Sequence, residues 1–224
     1  MTSGEITSEK LRPDLEQCLW TDENGHSRFE HRLHKDFIYE QNPEQSYFLI
    51  NRAIECAEAE SKEAFDSGAW HAYIFTHTRA FRLPAFCDTL MFLSNKEYWE
   101  LLASVWTDSE NIWQYKESWI TLLSSPRRQP GRSALRTLPK QVTVYRGTSA
   151  PDGMGSGLSW TLDRDVALWF AKRFARSGRT AKLLSANVNR KDIILSTELP
   201  YFGREKDEVV TLTPAGITEE TITT

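Results

Sequence analysis

Apolar side chains recur at helical spacing from about residue 45 to residue 125, and this part of the chain predicts helices. The run "SYFLINRAIECAEAESKEAF" has helix-forming composition and stops near Gly68. "SNKEYWELLASVW" opens with Ser94 and Glu97 at capping-box spacing, where hydroxyl and carboxylate each accept from the other's unpaired backbone N–H. "TDSENIWQYKESWITLL" repeats the device with Thr107 and Glu110, and its Ile112, Tyr115, Trp119, Leu122 and Leu123 fall on one face. Between these helices "HAYIFTHT" reads as a short strand or an extended linker. The aromatic side chains on the helices have the spacing of a buried face, so they are assigned to core rather than to a base-stacking surface. The first ten or so residues are polar and expected to fray.

The pattern changes beyond residue 123. "SSPRRQPGRSALRTLPK", residues 124–140, holds three prolines, one glycine and five basic residues with no acid, and predicts a linker. Strand-like runs follow: "QVTVYR", "AKLLSANV", "DIILST" and "DEVVTLT". One amphipathic helix sits among them. Asp163 or Thr161 can cap it, and Ala167, Phe170, Ala171 and Phe174 repeat on its inner face. The expectation is an α+β protein with a helical region over 1–125, a basic Pro-rich linker over 126–140 and a β-rich core over 141–224.

The chain has 224 residues, 40% of them hydrophobic, with eight Trp and eleven Phe, which excludes a mainly disordered chain. Its three cysteines, Cys18, Cys56 and Cys87, show no CxxC spacing and an odd number, which suits a reducing compartment. No apolar run approaches the roughly 18 residues of a membrane span, and the first residues lack a basic-then-apolar signal. A cytoplasmic location with no membrane partner is expected. His26, His31, His34, His71 and His77 lack nearby Cys pairs or an HExxH motif, so no metal is expected. There is no GxSxG elbow, and "PDGMGSG" lacks the lysine of a phosphate loop and precedes a strand.

The net charge of −4 conceals an asymmetry. Residues 126–191 contain fourteen Lys/Arg and three Asp/Glu, a net of +11, whereas residues 1–125 carry −10 and residues 192–224 carry −5. Such a distribution serves either as surfaces that neutralise one another or as a basic face for an anionic ligand. Charge alone does not separate the two.

The chemistry-bearing residues lie in the last third. A strand ends in Arg146 ("VTVYRGT"), the next segment carries Ser159, Trp160 and Thr161 ("GLSWT"), and a loop then delivers Glu208 onto another apolar strand ("DEVV"). Breaking the bond between nicotinamide and ribose in NAD develops positive charge on the sugar, and the leaving group needs no general acid because it is already cationic. A protein that does this must fix the dinucleotide and place negative charge against the ribose. An arginine grips phosphate through two parallel bonds, a carboxylate faces the sugar, and a small hydroxyl holds the carboxylate in place.

These residues resemble the mono-ADP-ribosyltransferases of the arginine–serine–glutamate type, the cholera-toxin-like group. In that family an arginine ends the first core strand, a Ser-Thr-Ser-like motif starts a second, and a glutamate begins a later one. The resemblance covers about residues 140–213 and includes the helix "DVALWFA", with Ala167 and Phe170 where the family packs an alanine and an aromatic. It implies a module in which two β-sheets clasp NAD, with Glu208 as the catalytic carboxylate, Ser159 orienting it and Arg146 binding phosphate or ribose. The same resemblance extends cofactor binding to Gly147, Trp160, Thr161 and Phe170. It also makes the loop carrying Tyr201, Phe202, Arg204 and Lys206 the acceptor-recognition loop.

Two departures bear on the acceptor. The family often has Glu or Gln two residues before the catalytic glutamate, where this chain has Lys206, a cation that disfavours an arginine acceptor. Trp160 is bulky for the middle of the hydroxyl motif; it either flanks the nicotinamide pocket or packs inward. With the basic stretch, these tilt the expected acceptor from protein towards RNA or DNA. By analogy the chain is a bacterial or phage toxin or effector with an antitoxin as a further partner. Two rivals stay open: an NAD glycohydrolase with the same site, and a non-enzymatic nucleic-acid-binding protein that uses only the basic face.

Overall fold

The computed structural model describes residues 9–109, 111–149, 157–175, 180–202 and 207–222. The chain belongs to the α+β class, with two antiparallel sheets, and divides into two compact units. The first comprises residues up to 93 together with 108–111, and the second comprises 94–107 and 112 onward.

The first unit is not wholly helical. After a 3-10 turn at Pro13–Cys18, β1 (Leu19–Thr21), β2 (Ser27–His31) and β3 (His34–Phe37) form a small antiparallel sheet in chain order, and only then does α1 (Pro43–Asp66) begin. These strands are three to five residues long and half exposed, so they lack the apolar alternation that marks a strand in sequence. Asn42 caps α1, its side chain accepting from the Gln45 amide at 3.2 Å, with Pro43 in the first turn. The helix ends at Gly68, whose φ of 72° places it in the left-handed region. The chain then turns into α2 (Trp70–Thr76) and on to α3 (Arg82–Thr89). The expected strand or linker at "HAYIFTHT" is therefore a helix, in which Tyr73 and Ile74 are buried; packing overrides the local β-branched and aromatic preference. Leu11, Leu15, Phe29, Ile38, Ile50 and Ile54 form a core cluster in this unit.

The second unit takes α4 (Asn95–Asp108) and α5 (Lys116–Leu123) from the region expected to be N-terminal. The Ser94–Glu97 capping box is formed: the Glu97 amide donates to Ser94 Oγ at 3.3 Å and the Ser94 amide to Glu97 Oε2 at 2.9 Å. The second expected box is not seen as such. Thr107 lies in the last turn of α4, and Glu110 is outside the described residues. Tyr98 donates from its hydroxyl to the Leu122 carbonyl at 2.7 Å and Trp99 from its indole to the Arg127 carbonyl at 3.1 Å, tying α4 to the end of α5 and beyond.

The stretch 126–140 is a built part of this unit rather than a linker. Gln129 donates to the Ile194 carbonyl at 2.6 Å, and residues Arg132–Thr137 form a 3-10 turn. Gly131, at φ 67°, leaves room for Pro200, whose ring carbons would lie 2.9 Å from an added Cβ.

Six antiparallel strands follow: β4 (Gln141–Thr148), β5 (Ser159–Thr161), β6 (Ala181–Asn189), β7 (Ile193–Ser196), β8 (Glu208–Thr211) and β9 (Ala215–Ile222), in the order β7-β8-β5-β4-β6-β9. Where two sheets were expected, the strands make one hydrogen-bonded sheet, pinched at its middle. Among the described residues a single pair, Tyr145 with Thr161, joins β4 to β5, whereas β4 and β6 are paired at eight positions. The half-sheets β7-β8-β5 and β4-β6-β9 therefore meet at one point.

Helix α6 (Arg164–Phe174) is capped by Asp163, whose carboxylate accepts from the Asp165 amide at 2.7 Å and the Val166 amide at 3.3 Å. Its fully buried Ala167 and Ala171 lie against Gly147 of β4, where an added Cβ would stand 1.9 Å from the Ala167 carbonyl oxygen. Backbone meets backbone there, and no side chain can yield. Gly147→Ala is expected to lower stability by about 3 kcal/mol, read from urea unfolding followed by circular dichroism. Wild-type stability in that variant would contradict this close approach.

A candidate active site where β4, β5 and β8 meet

Each candidate catalytic residue sits at or near a strand terminus beside the pinch. Arg146 is close to the end of β4, Ser159 is the first residue of β5, and Glu208 is the first residue of β8. The register places Thr161 opposite Glu208 and Ser159 opposite Val210, so Ser159 and Glu208 are diagonal neighbours on one face. The turn before β8 passes through Asp207 at φ 29°, in the left-handed region that aspartate tolerates better than most residues.

The three side chains converge. Ser159 Oγ donates to Glu208 Oε1 at 2.5 Å, and the indole Nε1 of Trp106, on α4, donates to the same oxygen at 3.2 Å. Trp106 is itself 1% exposed and packs edge-on to Trp119 with ring centroids 5.0 Å apart. Glu208 is only 5% exposed, so these donors take the place of water at its carboxylate. Arg146 Nη1 donates to the Ser159 carbonyl at 2.6 Å, which fixes the guanidinium beside the strand that presents the serine. Burial pushes the Arg146 pKa down, and the nearby Glu208 carboxylate opposes that shift by favouring the cation. Gly157 makes room for this arrangement: a Cβ there would lie 2.5 Å from the guanidinium carbon.

A cleft of about 40 Å³ opens beside Arg146, Gly157, Leu158 and Ser159, with Ile112, Trp113 and Lys116 as its other described walls. It has room for a water or two, so a larger ligand requires its walls to part. Trp113 is 51% exposed and Lys116 Nζ lies 5.0 Å from its ring centroid, so the two side chains pair with each other on the solvent side of the cleft.

Several other expected ligand contacts are placed differently. The Trp160 indole is 2% exposed and donates to the Gly157 carbonyl at 2.9 Å, so it packs inward and does not flank a nicotinamide pocket. Thr161 Oγ1 accepts from the Asp163 amide at 3.1 Å and serves the turn before α6. Gly147 is occupied by its contact with α6. Phe170 lies on α6, edge-on to Trp169 at 4.9 Å, and is not among the described residues lining the cleft. Phe202 is 3% exposed and anchors its turn in the core, which removes it from an exposed acceptor surface. Tyr201 is half-buried, while Arg204 and Lys206 lie outside the described residues.

Trp106, Trp113 and Lys116 had no signal of their own in the sequence. Trp106 has the helical spacing of a core residue, and core it is; its N–H finds Glu208 only across 102 positions of chain. Among the described residues no three His, Cys, Asp or Glu side chains gather as a metal site. His77 Nδ1 is instead 2.8 Å from the Tyr73 carbonyl oxygen. No family model, curated protein or solved structure matches this chain.

Two tests follow from this geometry. Ser159→Ala and Trp106→Phe each withdraw a donor from a buried carboxylate and should cost roughly 1–3 kcal/mol in urea unfolding. Because both donors end on Oε1, the double variant should depart from additivity; strict additivity would mean that they do not share that oxygen. Burial also pushes the Tyr201 hydroxyl from its ordinary value of 10 up to about 12. The unfolded chain then ionises first, so this contribution is present below pH 10 and fades as pH rises through about 12. Tyr201→Phe should flatten that alkaline loss, and an unaltered pH profile would place the hydroxyl in water.

Proposed function

We propose that this protein breaks the bond between nicotinamide and ribose in NAD and passes the ADP-ribosyl group to a macromolecular acceptor, nucleic acid ahead of protein. The reading rests on one observation above the others: a nearly dry Glu208 carboxylate held by Ser159 and Trp106, with Ser159 itself on the wall of a cleft that Arg146 also lines. The order of β4, β5 and β8, each bringing one of the three residues from at or near a strand terminus, supports an ADP-ribosyltransferase-like module.

In this reading Arg146 supplies the fixed positive charge for the NAD phosphates, and Gly157 keeps its guanidinium free of a side-chain clash. The carbon–nitrogen bond of the nicotinamide riboside breaks with its electron pair leaving on the nicotinamide, which becomes neutral. Glu208 stabilises the positive charge that grows on the ribose. A carboxylate already desolvated and held by two donors needs little rearrangement to do so. The acceptor nucleophile then bonds to the anomeric carbon and loses its proton to Glu208 or to solvent.

Nicotinamide release measured by HPLC, with labelled NAD incubated in fractionated cell extract, tests the reading. Wild-type protein should release nicotinamide and label a nuclease-sensitive pool. Glu208→Gln, which keeps the shape of the side chain and its place between Ser159 and Trp106, should lower the rate by about 10³-fold with the fold intact by circular dichroism. Unchanged turnover in Glu208→Gln removes the proposed chemistry. A protease-sensitive label moves the acceptor to protein, and release without any label makes water the acceptor.

A further inference from the structure

A second feature of this unit lies outside the cleft. The 3-10 turn Arg132–Thr137 and the 3-10 turn Arg190–Asp192, which leads from β6 into β7, together form a groove lined by Arg132, Ser133, Leu135, Arg136, Arg190 and Lys191. Four of these six residues are cationic. Among the described residues none of the four forms an ion pair with a carboxylate.

Two of the arginines are spent on neutral partners. Arg132 donates through Nη1 to the Ile193 carbonyl at 2.9 Å and to Gln129 Oε1 at 2.7 Å, and through Nη2 to the Lys191 carbonyl. Arg190 Nη1 donates to the Leu138 carbonyl at 2.6 Å and to the Arg136 carbonyl at 3.2 Å. Each turn thus supplies an arginine that staples the other turn through its backbone. The staples fix the groove without cancelling its charge, because carbonyl oxygens carry only dipoles. Arg136 and Lys191 stand exposed beside them. Two carboxylates belong to the surroundings: Asp192 ends the same turn as Arg190, and Glu198 accepts from the Thr137 hydroxyl at 2.9 Å; neither forms an ion pair with the four cations.

We infer that this groove binds the phosphodiester backbone of a nucleic acid. Fixed guanidinium groups suit phosphate oxygens, and four cations in one groove against the single acid of its turns, Asp192, call for a ligand that presents several anions in a row. None of its described lining residues is an aromatic on which a base would stack, so it reads backbone and not sequence. The inference deepens the transferase reading and rests on it for its purpose, since the groove would then hold the acceptor. The turn Arg190–Asp192 enters β7, which pairs with β8, the strand that begins at Glu208. Ile193 lies opposite Thr211, at the far end of β8, so the groove and Glu208 are on the order of 10 Å apart along that strand. One short segment of polynucleotide spans that distance.

Fluorescence anisotropy with the full chain tests the inference without NAD. The probes are fluorescein-labelled single-stranded RNA and DNA of about 20 nucleotides, with a poly-glutamate peptide of similar charge as the third arm. RNA or DNA should bind with little sequence preference, and affinity should fall steeply from about 50 to about 200 mM salt. Arg136→Glu with Lys191→Glu, two exposed positions that do not line the cleft, should weaken binding by about tenfold or more and reduce the salt slope by about two. Nicotinamide release to water should be unchanged in that variant. Nucleic-acid affinity equal to wild type in the double variant overturns the inference, as does equal binding of poly-glutamate. The two readings fail separately: binding through the groove without any nicotinamide release would sink the enzymatic proposal alone.

Discussion

The second unit is organised around a carboxylate that has been taken out of water. Glu208 is 5% exposed, and a charge in that position persists only where protein donors replace the lost hydration. Ser159 and Trp106 are two such donors, and they come from a short strand and a helix far apart in sequence. Meeting that one requirement fixes much else. β5 must begin beside β8, α4 must pack in the second unit with its indole turned towards the sheet, and the guanidinium of Arg146 must sit where it neutralises part of the local field. A core side chain and a chemical group are here held by the same contacts.

This double use explains which parts of the site were legible in the sequence. Arg146, Ser159 and Glu208 could be picked out because arginine, serine and glutamate at strand ends invite a chemical reading, and the structure brings all three together. Trp106 could not, since a tryptophan at helical spacing looks like core whether or not its N–H has a task. Trp160 and Phe202 misled in the opposite direction: aromatic residues beside a candidate motif suggest a ligand surface, yet both are more than nine-tenths buried. Local pattern located helices and the main strands, including the capping box at Ser94. It missed β1 to β3, where strands of three to five residues show no alternation, and it misread "HAYIFTHT", where packing decides. Unit boundaries failed for a related reason. Proline and glycine between residues 126 and 140 signal a break in regular structure, but carry no information on whether that irregular chain is bonded to the sheet.

The charge asymmetry gains a physical meaning from the same region. A dense run of basic residues in a flexible linker would form a diffuse cationic cloud. Here Arg132 and Arg190 each bind backbone carbonyls of the opposite turn, so that the charge is held in a defined shape. The arrangement uses guanidinium geometry twice, once inward for architecture and once outward as a source of field. Lysines could supply the field but not the staple.

The slender junction between β4 and β5 has a mechanical consequence. Among the described residues one rung connects the two halves of the sheet, while the ladder between β4 and β6 has eight. Resistance to bending along the sheet is therefore uneven, stiff within each half and compliant between them. Bending along that seam would leave the Ser159–Glu208 contact whole, because both residues ride on the same side of it, and would fall instead on the bond that Arg146 makes to the Ser159 carbonyl from the other side.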